Sequence, residues 1–110
     1  MEISEYCDKL RKEYKELDDK LYNIEESKKI EEVEPMYDRL DTTITSFLNH
    51  TDDEGFTKNP MWQRFMESKM WFYRYKESKG LNGHYVGQAI GRLKESIGWF
   101  ELLEGIAAGV

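Results

Sequence analysis

At 110 residues, 39% hydrophobic, 35% charged and with only two prolines, the chain suits a single all-helical domain and is too short for two. No apolar run approaches the roughly 20 residues of a membrane span, and one cysteine excludes an intramolecular disulfide, so the expected location is cytoplasmic. The net charge of −6 hides an asymmetry: residues 1–55 hold 8 Lys and Arg against 17 Asp and Glu, whereas residues 56–110 hold 8 against 5, so duplex nucleic acid is an unsuitable partner and a small anion is a suitable one.

The start, Met1-Glu2-Ile3-Ser4-Glu5, is acidic and lacks the apolar core of a signal peptide. Ile3, Cys7, Leu10, Tyr14, Leu17, Leu21 and Ile24 then alternate steps of four and three, the 3.5-residue repeat of a coiled-coil or bundle seam. Charged residues flank it throughout, as a solvated helix surface requires. Cys7 lies on the seam and reads as a small core residue, with no histidine near it in sequence to activate it.

The register breaks at Glu25-Glu26-Ser27-Lys28-Lys29 and resumes with Val33, Tyr37, Leu40, Ile44 and Phe47. The spacing predicts a helix over about 3–29 and a second over about 35–50 with Pro35 in its first turn. A single long helix kinked before Pro35 is the alternative. From His50 to Lys58 a polar cluster with Gly55 predicts a loop. Its acids Asp52-Asp53-Glu54 lack the alternate spacing of a calcium loop, and no metal is expected.

Asn59 as N-cap and Pro60 at the first helical position open a third helix, running to about Lys79 with Gly80 as its stop. Met61, Trp62, Phe65, Met66, Met70, Trp71, Phe72, Tyr73 and Tyr75 cover more than one of its faces, which predicts burial against the last helix on one side and against another protomer on the other. A homo-oligomer is therefore expected. The last helix starts after Asn82 and stops near Gly105, with Val86, Ile90, Leu93, Ile97, Phe100 and Leu103 on one face. Gly83, Gly87 and Gly91 line another side of its first turns. Each glycine inside a helix costs about 0.5–1 kcal/mol relative to Ala, so either another backbone or a ligand should come close there.

The fold expected is all-α: a single domain, a small bundle of about four helices. Residues 1–50 form its acidic heptad-patterned part, including a long N-terminal coiled-coil-like helix, and residues 59–106 an aromatic, basic helical hairpin. No catalytic constellation or cofactor-binding motif stands in the sequence, so the chain reads as a binding protein rather than an enzyme. The candidate ligand-binding residues are Arg74, Lys79, His84, Tyr85 and Arg92, gathered around the turn Gly80-Leu81-Asn82-Gly83. Cations there would pair with phosphate, the helix N-terminus favours an anion, and aromatic faces can stack a base. The plainer reading is that the cations keep this surface soluble while the tyrosines cover the core.

Ala89-Ile90-Gly91-Arg92-Leu93-Lys94-Glu95-Ser96-Ile97-Gly98-Trp99 resembles the final helix of the phage anti-CBASS sponge family. Ala89, Arg92, Leu93, Glu95, Ser96 and Trp99 carry the likeness. His84-Tyr85 stand where that family often has Arg-Glu, and the acidic N-terminal segment has no counterpart. The resemblance implies a symmetric oligomer in the host cytoplasm that sequesters cyclic di- or trinucleotide messengers without cleaving them, with Arg92 among its contacts. The competing reading is an acidic helical module or inhibitor that docks on a host protein.

Overall fold

The seam positions of the first half turn inward. In the computed structural model, which describes residues 2–27, 30–50 and 58–107, α1 (Ile3–Tyr22) buries Cys7, Leu10, Tyr14, Leu17 and Leu21. The second seam does the same: Val33, Tyr37, Leu40, Ile44 and Phe47 are buried on α3 (Ile30–Asn49). Ile3, at the first position of α1, is only partly covered.

The first helix ends sooner than the spacing predicts, at Tyr22 rather than near residue 29. Asn23 leaves helical geometry, and its side-chain N–H donates to Asp19 O at 2.9 Å, satisfying a carbonyl that the helix end leaves open. One further turn, α2 (Ile24–Ser27), follows, and Ile24 completes the seam at 1% exposure. The next helix begins at Ile30 rather than Pro35, so Pro35 lies inside α3. Its missing N–H forgoes one bond to Glu31 O. The turn before it is held from outside: Val33 is buried, and Glu34 takes hydrogen bonds from Lys76 and from Tyr73 Oη at 3.5 Å. α1 and α3 are not one kinked helix but an antiparallel pair. Tyr6 and His50 rings stand 5.0 Å apart at one end, and Lys20 lies 3.4 Å from Glu32 at the other.

α4 (Lys58–Glu77) starts ahead of the expected cap, so Asn59 and Pro60 both fall within its first turn. There the proline still costs no hydrogen bond. α5 (Gly83–Ala107) returns antiparallel to it, Ser68 Oγ donating to Ala89 O at 2.7 Å and Ser96 Oγ to Met61 O at 2.9 Å. α5 also runs antiparallel to α1 (Arg11 to Glu104, Lys94 to Asp18), and α4 to α3 (Lys76 to Glu34, Lys69 to Asp41). The described residues thus form an up-down-up-down bundle of four long helices, 44 × 23 × 18 Å.

Two matching polar bridges cross its apolar interior. Tyr14 Oη and Ser96 Oγ are 2.8 Å apart, and Ser96 passes its proton bond to Met61 O; Tyr37 Oη and Ser68 Oγ are 2.8 Å apart, and Ser68 continues to Ala89 O. Each bridge ties three helices together, and both serines are fully buried. They also turn the last helix. Ala89 and Ser96 hold its innermost line, while Ile90 and Ile97, expected at the centre, are only partly buried. Among the described residues no helix is long and apolar enough to cross a membrane.

Candidate functional site

The corner between α4 and α5 is built by two terminal motifs. At the end of α4, Gly80 N donates to Tyr75 O at 3.1 Å and Lys79 N to Lys76 O at 2.9 Å, the paired bonds of a Schellman stop. Lys79, not Gly80, takes the first left-handed seat, at φ 57°, and Gly80 follows at φ 76°. At the start of α5, Asn82 Oδ1 accepts the His84 N–H at 3.1 Å, the expected cap.

Three of the five predicted site residues meet here, around a residue that the sequence had marked only as an apolar, bundle-facing aromatic. Trp71 is half-buried, with the Arg74 guanidinium 4.7 Å from its ring centre, Tyr85 at 5.7 Å and tilted, and His84 at 6.3 Å edge-on. The i,i+3 spacing of Trp71 and Arg74 lays the cation over the ring, and the cation–π attraction holds it. Aromatics at a helix corner beside two cations were the only signal that could have singled out Trp71. Lys79 stands on the same turn through its backbone.

Arg92 is not brought to this corner. It lies seven residues beyond Tyr85, about 10 Å along α5, in a closed ring of charges. Its guanidinium contacts Glu67 Oε2 at 3.2 Å and Glu95 Oε2 at 3.3 Å, and Arg64 reaches the same two carboxylates at 2.7 and 3.2 Å. The Nε contact with Glu67 is ionic rather than a hydrogen bond, the N–H being misaligned. Two arginines and two glutamates cancel here, so Arg92 offers little net field to a ligand. Lys76, another cation of the sequence cluster, is bound to Glu34, which raises its pKa above the usual lysine value.

The N-terminus of α5 is also partly taken. A Cβ at Gly83 would stand 2.3 Å from Glu25 Oε1, so the glycine makes room for a carboxylate of the chain itself beside the positive end of the helix dipole. Gly87 and Gly91 do not pack against another helix of the chain, contrary to the close-packing expectation: a Cβ added at either meets nothing within 4 Å. The edge of the corner is therefore smooth and open.

A concavity of about 240 Å³ lies elsewhere, between α1 and α5, floored by Tyr14, Ile97 and Phe100 and rimmed by Arg11, Lys15, Asp18 and Glu101. Asp18 Oδ1 is buried there without a hydrogen-bond partner, and burial pushes its carboxyl above the usual range. Among the described residues no group of three or more His, Cys, Asp or Glu could hold a metal ion. The acids Asp52-Asp53-Glu54 lie outside the described residues. No family model matches the chain, and neither a curated protein nor a solved structure shows significant similarity to it.

Proposed function

We propose that the chain is a non-catalytic binding protein whose α4–α5 corner takes a cyclic di- or trinucleotide and withholds it from host antiphage signalling. The observation that carries this reading is the surface cluster of Trp71, Tyr85 and His84 with Arg74 laid over the indole. Such a shelf offers base stacking and phosphate pairing side by side. Arg74, His84, Tyr85 and Lys79 are its working residues. The resemblance of the last helix points to the same ligand class, and Arg92, tied to Glu67 and Glu95, contributes only if it exchanges those partners for phosphate.

Thermal unfolding with a panel of cyclic di- and trinucleotides tests it. A ligand at 100 times its dissociation constant adds about 2.7 kcal/mol of stability. Trp71→Ala and Arg74→Ala each remove the shift. A flat response to the whole panel ends the proposal.

One observation favours the second reading, an acidic helical module or inhibitor that docks on a host protein. Glu25 supplies the anion at the start of α5 from within the chain, and Glu5, Asp8, Glu16 and Asp19 stand exposed along α1. Capture of a host protein that Glu16→Lys and Asp19→Lys abolish, with no nucleotide response, supports it.

A further inference from the structure

Ion pairs tie α1 to α5 at two levels and leave the seam open between them. Arg11 and Glu104 close one end at 2.7 Å, and Lys94 stands 3.9 Å from Asp18 at the other. Arg11 and Asp18 are about 10 Å apart along α1, and the cavity of about 240 Å³ fills that interval. Its floor is apolar. The Tyr14 and Phe100 rings lie 5.6 Å apart, Ile97 is only partly buried, and the Tyr14 hydroxyl is already spent on Ser96.

The rim carries charges that the chain leaves unused. Lys15 and Glu101 have no ion-pair partner among the described residues. Lys15 and Asp18 are opposite charges three positions apart on one helix, a spacing at which such pairs ordinarily meet, yet no ion pair joins them. Asp18 Oδ1 is shielded from water and accepts no hydrogen bond. A buried acceptor without a donor is costly, and a group kept at that cost calls for an explanation.

Each feature specifies part of a guest. An apolar cavity of roughly 150 Å³ takes a benzene ring, so this larger one holds a ring or branched alkyl body together with a short polar head. An ammonium supplies the donor that Asp18 Oδ1 lacks, and a carboxylate beside it meets Lys15. Both charges sit on one carbon of an amino acid, which suits two rim groups only one helical turn apart. Glu101, on the opposite wall, adds a second acceptor for the ammonium and disfavours a further anionic group.

We propose that the α1–α5 cavity binds a free apolar α-amino acid, aromatic or branched, with its side chain on Tyr14, Ile97 and Phe100, its ammonium on Asp18 and its carboxylate on Lys15. Ile97 lies about 18 Å along α5 from Tyr85, so this site does not depend on a nucleotide at the α4–α5 corner.

Amide chemical-shift titration of the isotope-labelled chain with L-phenylalanine and L-leucine tests it, with phenethylamine and 3-phenylpropionate as probes that each lack one charge. Saturable shifts should appear at Lys15, Asp18, Ile97 and Glu101, and L-phenylalanine should bind about tenfold more tightly than either single-charge probe. Lys15→Gln should weaken L-phenylalanine about tenfold and leave phenethylamine unchanged, whereas Asp18→Asn should weaken both. Lys15 is exposed, so its variant keeps the fold, and helical circular dichroism checks the same for Asp18→Asn. Absence of shifts at the cavity with all four compounds at millimolar concentration overturns the proposal. So do shifts confined to Trp71 and Tyr85, amino-acid binding that Lys15→Gln leaves intact, or a single-charge probe bound as tightly as L-phenylalanine.

Discussion

Tyr14 and Tyr37 show how single hydroxyls direct this bundle. Each is almost wholly buried, and each has one serine as its partner. Ser96→Ala leaves the Tyr14 hydroxyl buried without that partner and should cost about 1–3 kcal/mol, whereas Tyr14→Phe with Ser96→Ala should recover part of the loss. Urea unfolding of the two single variants and the double variant measures the coupling. Burial also raises both tyrosine pKa values well above the ordinary phenol. A raised folded-state pKa gives stability that is complete below the unfolded value near 10 and is lost as pH climbs through the folded one. Unfolding free energy should therefore fall as pH rises above about 10, and less steeply in Tyr14→Phe.

At the scale of elements, the ends of helices are where the chain departs from its own pattern. Seam spacing places Cys7 through Ile24 and Val33 through Phe47 on the core side, because the 3.5-residue repeat is a local property of the backbone. Where each helix stops is decided by contacts the spacing does not contain: Asn23 folding back on Asp19, Glu34 anchored by α4, and the corner after Glu77. Lys79 in the left-handed seat is strained by its Cβ. Lys79→Gly should raise stability by about 1 kcal/mol in thermal or urea unfolding. Loss of stability instead would mean that the lysine side chain holds the corner together.

For the whole molecule, the acidic half and the aromatic, basic half become two antiparallel hairpins facing each other across one core. Net opposite charge across that seam is visible in Lys69 with Asp38 and Asp41, Lys76 with Glu34, and Arg11 with Glu104. Most of these pairs are half-exposed, so each adds little by itself. Raising salt should shift the unfolding midpoint only slightly, and should weaken the proposed nucleotide binding at Arg74 more strongly than folding.

The sequence alone determined the helical class, the inward residues of α1 and α3, the cap at Asn82 and the gathering of Arg74, His84 and Tyr85 near one turn. All of these depend on residues close together along the chain. Only the tertiary structure decided that Trp71 is the centre of that corner, that Arg92 is occupied by Glu67 and Glu95, that Glu25 reaches the start of α5, and that the glycines of α5 look outward. Those facts rest on which side chains arrive from a different helix, and helical periodicity carries no record of a neighbour's identity.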